Sequence, residues 1–447
     1  MKKHLCHLLL ISITILHLSC KETKPKEIAA VVEEEQLPNI VFILSDDQAW
    51  TDYGFMGHDQ IKTPHLDKLA AEGLTFDRGY VPTSLCAPSL ASIITGVYPR
   101  NHGVLANDRV LPGDDTSIRP YWRSSWRAEN YKAVIEQFNT LKTLPKILKE
   151  KGYLSFQTGK WWLGNHSNGG FDDGMTHGDP ERGGRHGDYG LEIGRRGMDT
   201  LFSYIDVALQ KKKPFFMWYA PYLPHAPHTP PDSILQKYLP KAPTEYIAKY
   251  WAMTEWFDQT CGELINYIDD KGLTDNTLFV YVCDNGWVQN PNDTGYDKNS
   301  KRSPYDYGLR TPIIYKWTGK ISPKRELTAL TSSLDMIPTV LGLLNMEIPK
   351  EMDGVDVLNE TAFSEREALF GEIYSHDFNT IESSLTHRMV MTNPYKLILP
   401  NAKNNPKEKI KLFNIYEDPT EQSDLSQEYP EIVKDLQNKI EASWIKN

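Results

Sequence analysis

The run "NIVFILSDD" is apolar and β-branched and closes on two carboxylates, which predicts a buried strand delivering Asp46 and Asp47 at its C-terminal end. "TPHLDKLAAEG" then spaces Leu66, Leu69 and Ala70 as one face of a helix with a glycine stop at Gly73. "TLKTLPKILKEKGY" predicts another helix ending at a glycine, and "LSFQTGKWW" another strand. "KPFFMWYA" and "NTLFVYVCDNG" repeat the pattern of an apolar strand opening into a polar loop. Strands alternating with helices predict an α/β fold: a large mixed, mostly parallel sheet flanked by helices, with ligand sites at the C-terminal strand ends.

The pattern changes after Ala362. "EALFGEIY", "HRMVMTNPYKLILP" and "KIKLFNIYEDPTEQSDL" predict short strands joined by turns, and "EIVKDLQNKIEASW" an amphipathic helix. This segment, 363–447, is expected to form a smaller C-terminal subdomain with an antiparallel sheet beside a catalytic α/β domain over 37–362. The stretch Asn165 to Gly197, with "DPERGGRHGDYG", is crowded with Gly, His, Asp and Arg and reads first as a solvated surface loop, with a substrate cleft as the alternative.

The opening "MKKHLCHLLLISITILHLSC" has two lysines, an apolar run of secretory length and Ser19-Cys20, which predicts an export signal over 1–20. Its end resembles a bacterial lipobox, with Cys20 as the lipidated residue and an N-terminal lipid anchor as the only membrane contact; a plain signal peptide cut near Cys20 is the other reading. Either way the mature chain is exported, to the periplasm or the cell surface, with the outer membrane as the site of anchoring. Residues 21–36, "KETKPKEIAAVVEEEQ", are charged and free of aromatic residues, as in a flexible tether. Of five cysteines, Cys6 and Cys20 fall in this leader, leaving Cys86, Cys261 and Cys283 in the body. Three cysteines are no disulfide framework, although a Cys261–Cys283 bridge is compatible with the sequence. Across 447 residues, 40% hydrophobic and 24% charged, there is material for a large core. The net charge is −10 with scattered basic residues, which excludes nucleic acid as the main partner.

Asp46 and Asp47 after one strand, and Asp284 and Asn285 after another, are hard oxygen donors at two ends of one expected sheet. Neighbouring carboxylates repel unless a cation separates them, and oxygen donors suit Ca2+ or Mg2+ rather than zinc. Either pair alone is also a common turn sequence. In "SLCAPSLASIITG", Pro88 in a helix's first turn would hold Cys86 just before the helix N-terminus, a position that lowers a thiol's pKa. The plainer alternative is a small apolar residue packed beneath the sheet.

"CAPSLASIITG" resembles the sulfatase signature, in which Cys or Ser precedes any residue, Pro, Ser, Arg and Ala, with Thr-Gly downstream. "NIVFILSDDQ", "IKTPHLDKLAAEGLTF", "GKWWLG", "PHAPH", "VCDNGW", "KRSPYDYGLRTP" and "DMIPTVLGLLNMEIPKEMDGVDV" are similar to further sulfatase blocks, in the family's order from about Leu37 to the end. Sulfatases belong to the alkaline phosphatase superfamily. The resemblance implies that Cys86 is oxidised to formylglycine (3-oxoalanine) by a formylglycine-generating enzyme. The hydrate of that aldehyde supplies one oxygen to attack sulfur and a second to break down the sulfate ester. It implies one Ca2+ ion held by Asp46, Asp47, Asp284 and Asn285 together with the residue made from Cys86, a fifth metal position. Lys160, His225 and Lys301 match positions that bind sulfate or serve the leaving group, so they are candidate catalytic and substrate-binding residues. His228 and His102 are assigned to structure or support. Two departures stand out: Leu90 replaces the signature arginine, and Trp162 replaces the histidine of "GKWHLG". Each removes a charge-assisted hydrogen bond of about 1.5–3 kcal/mol and bears on conversion of Cys86.

The expected function is therefore hydrolysis of sulfate esters on a sulfated polysaccharide or oligosaccharide. Trp122, Trp126, Trp161 and Trp162 near expected cleft loops favour carbohydrate, although most tryptophans are core residues. Two alternatives stay open: a phosphoester or phosphonate hydrolase of the same superfamily, and a glycan-binding homologue that has lost turnover.

Overall fold

The computed structural model describes residues 37–109, 125–179, 186–378 and 380–445; the expected leader and tether, with Cys20, lie outside them, as does Trp122. In chain order the strands are β1 (Asn39–Ser45), β2 (Leu74–Tyr80), β3 (Asp108–Arg109), β4 (Leu154–Gly159), β5 (Asp173–Gly174), β6 (Phe215–Ala220), β7 (Thr277–Cys283), β8 (Arg310–Lys316), β9 (Lys324–Glu326), β10 (Thr331–Ser332), β11 (Leu369–Tyr374), β12 (Asp377–Phe378), β13 (Leu385–Met391), β14 (Tyr395–Pro400) and β15 (Lys411–Asn414). The main sheet has nine strands in the order β10-β2-β8-β7-β1-β6-β4-β5, with β9 also on β2. Strand β8 runs antiparallel to β7 and β2, and the remaining pairs are parallel. This is the mixed, mostly parallel sheet that the pattern predicts.

Both faces of β1 are covered. Ile40, Phe42 and Leu44 join one core cluster, and Val41 and Ile43 join another on the opposite side. Alternation of side chains on a strand with two covered faces is why the sequence reads as an unbroken apolar run. Helix α1 (Pro64–Glu72) follows the predicted span, but Gly73 does not end it in the left-handed conformation: its backbone is extended. The glycine is needed because a Cβ there would lie 2.7 Å from the carbonyl oxygen of Tyr315 on β8. The 26-residue helix Glu245–Asp270 has no counterpart in the sequence reading. Its buried face includes Thr254, Glu255, Asp258 and Thr260, and these polar positions blur the apolar stripe. Asp258 repays its burial by accepting the N–H groups of His65 and Leu66, 3.2 and 2.8 Å away, at the start of α1.

The C-terminal sheet is antiparallel with four strands, β11-β13-β14-β15. Val390, Leu397 and Leu412 face Leu436 and Ile440 of the helix Pro430–Ile445, while Met389, Met391, Ile398 and Phe413 join the main core. Thus the small sheet shares the large core, and Leu37–Asn447 is one compact unit. A two-stranded pair, β3 with β12, completes the sheets. No helix among the described residues is long and apolar enough to cross a membrane.

Candidate active site

Parallel pairing of β1 with β7 puts Ser45 beside Cys283, so the two strands end together and release their acidic turns side by side. The Asp284 N–H donates to the Ser45 carbonyl at 3.0 Å, and the Asp47 N–H donates to Asp284 Oδ1 at 3.2 Å. Asp47 has a left-handed backbone (φ 65°), unusual for a residue with a side chain and a form of strain retained where geometry matters. Gly286, the residue after Asn285, is required on the other turn: a Cβ there would meet the Tyr307 carbonyl oxygen at 1.9 Å.

Helix α2 (Cys86–Thr95) brings the thiol to this point. Cys86 is the helix's first residue rather than the one before it, Leu85 is the cap, and the side chain is fully buried. The Cys86 thiol donates to Asp46 Oδ1 at 3.8 Å and accepts from Lys301 Nζ at 3.1 Å. The expectation of a lowered thiol pKa is wrong for this cysteine. Burial pushes it up to about 12, because losing water outweighs Lys160 and Lys301 nearby. Cys261 and Cys283 are also free and buried, so the structure contains no bridge between them.

Two lysines complete the cluster. Lys301 Nζ lies 2.6 and 2.7 Å from the two Asp47 oxygens, and Lys160 Nζ lies 2.6 Å from Asp46 Oδ1 and 3.9 Å from Asp284 Oδ2. Burial opposes their charge, yet the surrounding carboxylates win and hold both ammonium groups above their usual range. Burial raises Asp46 and Asp284 in turn, with Lys160 opposing it. His225 donates from Nδ1 to the Ala226 carbonyl at 2.5 Å, which leaves Nε2 facing Asp47 Oδ2 at 3.3 Å. Burial, then Lys160 and Lys301, hold this imidazole well below its ordinary pKa, so its neutral form faces the cluster.

Asp46, Asp47, Cys86 and His225 each offer a ligand atom within 4.8 Å of the others. Asn285 Nδ2 donates to Asp47 Oδ1 at 2.7 Å, which turns its Oδ1 away from that bond. Asp46 Oδ2, Asp284 Oδ2 and Asn285 Oδ1 are buried and accept no hydrogen bond. Buried acceptors without donors are costly, and three from adjoining strand ends match the oxygen shell of a hard divalent cation. The oxygens of Asp46, Asp47, Asp284 and Asn285 fit such an ion in chemistry.

A cavity of about 280 Å³ opens onto the cluster between Lys160, His225, Lys301, Trp162, Trp287 and Arg302. At the departure sites, Leu90 is core, and Trp162 stacks obliquely on His186 at 5.3 Å with Lys160 Nζ 5.8 Å from its ring. Trp161 belongs to the core, against Phe171 and Trp218, not to a cleft; the Trp126 side chain lies outside the description. His102 is buried beside Ser92, and His228 packs against Tyr250 and Trp287, with burial lowering its pKa to about 4. Sequence reasoning missed His186, Tyr222, Trp287 and Arg302 as cavity-lining residues. It also missed Arg195, whose guanidinium donates to the carbonyls of Tyr222 (2.7 Å), His225 (2.6 Å) and Pro227 (3.2 Å). His186 and Arg195 sit in the Gly- and charge-rich stretch that composition reads as surface.

Fold and site together define an α/β protein with buried oxygen donors, paired lysines and a helix-start cysteine gathered at its strand ends. Residues 38–346 match the sulfatase family, and residues 295–446 match the family described as N-sulphoglucosamine sulphohydrolase, C-terminal. The chain belongs to the sulfatase family. It is 27% identical over 362 residues to N-acetylgalactosamine-6-sulfatase of Canis lupus familiaris, covering 72% of this chain and 66% of that one. An ulvan-active sulfatase of Formosa agariphila is 26% identical over 433 residues, covering 87% of this chain and 77% of the relative. Among solved structures, Ps i-CgsB in complex with k-i-k-neocarrahexaose superposes with a TM-score of 0.72 at 23% identity, over 91% of this chain and 92% of that one.

Proposed function

We propose that the chain is an exported sulfatase that hydrolyses sulfate esters on a sulfated polysaccharide or oligosaccharide, with one Ca2+ ion and a formylglycine derived from Cys86. The observation that carries this reading is the meeting of Cys86, two buried lysines and three donorless oxygens at the ends of β1 and β7. The names of the relatives support the substrate class, since they point to sulfated glycans.

Asp46, Asp47, Asp284 and Asn285 would hold the Ca2+ ion, which when bound draws electron density from the sulfate oxygens. Formylglycine would supply an oxygen nucleophile in place of the thiol. Lys160 and Lys301 keep their charge and present it at the cavity floor, where a sulfate's oxygens need compensation. His225, neutral with Nε2 bare, is set to accept a proton there and, once charged, to return it to a departing alcohol. In this organisation 37–362 carries the chemistry and 363–447 buttresses it. Residues 1–20 direct export, Cys20 carries the lipid anchor at the outer membrane or cell surface, and a formylglycine-generating enzyme is the maturation partner.

A second reading, glycan binding without turnover, is favoured by apolar Leu90 where the signature has arginine. One experiment decides. The chain is co-expressed with a formylglycine-generating enzyme and assayed for inorganic sulfate from sulfated oligosaccharides and for phosphate from phosphoesters. Sulfate release is expected; phosphate release alone, or binding with no release, contradicts the proposal.

A further inference from the structure

Arg302 immediately follows Lys301, lines the same cavity and is exposed. The other cavity cations are engaged: Lys301 with Asp47 and Cys86, Lys160 with Asp46, and His376 with Asp108 at 3.4 Å. Among the described residues the Arg302 side chain has no ion pair, hydrogen bond or ring contact. Its backbone is left-handed (φ 66°), a conformation that side-chain-bearing residues adopt only when neighbours enforce it. The enforcing contact is a hydrogen bond: the Arg302 N–H donates to the Ser84 carbonyl at 2.8 Å, two residues before Cys86. The fold thus holds the Arg302 backbone in a strained conformation next to Lys301, with an unpaired guanidinium lining the cavity.

The walls at that level are aromatic. Trp287 and Tyr296 lie 4.6 Å apart and line the cavity with Arg302, and Lys301 Nζ is 5.6 Å from the Trp287 ring. Such surfaces suit the face of a sugar ring. Consecutive Cα atoms are about 3.8 Å apart, so a guanidinium next to Lys301 reaches groups on the same or the adjoining sugar. Its planar fork matches the paired oxygens of a carboxylate or sulfate.

We infer that Arg302 binds a second anionic group of the glycan, so the preferred substrate carries a carboxylate or another sulfate beside the sulfate ester. This rests on the sulfatase reading and narrows it. The test is calorimetry on the full chain with Cys86→Ala, which separates binding from maturation and turnover. The probes are sulfated oligosaccharides in matched sets: one sulfate, the same with a neighbouring uronate, and the same with a second sulfate. The doubly charged members are expected to bind more tightly than the singly charged one. Arg302→Gln should weaken them roughly ten- to a hundredfold while leaving the single-sulfate member unchanged. Arg302→Lys should restore part of the difference as a point charge. Whichever of the uronate and disulfate members loses affinity identifies the group read. Equal affinities across a set, or an unchanged profile in Arg302→Gln, would overturn the assignment while leaving the sulfatase reading intact. No binding to any member would overturn the sulfated-glycan reading itself.

Discussion

Lys396 on β14 and Asp306, which opens the short helix Asp306–Leu309 just after the loop that carries Lys301, form an ion pair of 2.7 Å in which both side chains are fully buried. Glu421 closes the cluster, 2.8 Å from Lys396 Nζ and accepting the Asp306 N–H at 2.6 Å, and the Tyr80 hydroxyl donates to Asp306 at 2.9 Å. The small C-terminal sheet is thereby tied to the loop that ends at the active site. Removing one member strands buried charge, so Lys396→Met should cost about 3–5 kcal/mol. A urea midpoint that barely moves would show that the cluster is not structural.

Arg195 holds the segment carrying His225 through bonds to three of its carbonyls. Arg195→Ala should lower kcat by roughly a hundredfold through a misplaced imidazole, with folding cooperativity retained. Added guanidinium ion should restore part of the rate. Full activity in the alanine variant would remove Arg195 from the account.

His102 accepts the Val104 N–H at Nδ1 and meets Ser92 Oγ at Nε2, an arrangement for the neutral ring. Burial drives its pKa to about 3. Between there and the ordinary value of about 6.5 the unfolded chain binds the extra proton, so stability is present above about pH 6.5 and lost as the pH falls toward 3. The loss is on the order of 4 kcal/mol at the acid end. His102→Gln should flatten that part of the stability curve; an unchanged slope assigns the acid sensitivity to other groups.

A cation that binds only the folded oxygen cage must stabilise it by mass action. The thermal midpoint should rise with Ca2+ concentration and fall with a chelator, and Asp284→Ala should abolish both responses. A midpoint indifferent to Ca2+ in the parent chain would contradict the proposed ion.

The fold was legible where burial is uniform. β1, β4, β6 and β7 are covered on both faces, and their apolar runs declare them. The helix Glu245–Asp270 was illegible because buried polar residues such as Asp258 interrupt its stripe for the sake of a contact nearly two hundred residues away. At the site, Asp46, Asp47, Asp284 and Asn285 could be paired in advance because strand ends of a parallel sheet converge. The thiol's pKa could not: helix position argues downward, and only the structure reveals the burial that reverses it. Arg195 acts through carbonyls it meets only in the folded chain and Arg302 through where its backbone is held, and residue type alone carries no trace of either.

Mass spectrometry of the peptide spanning Cys86, from protein matured beside a formylglycine-generating enzyme, tests the central claim most directly. The expected mass is that of a peptide whose thiol has become an aldehyde, with sulfate release rising in proportion to its fraction. An intact thiol accompanied by full sulfate release would contradict it.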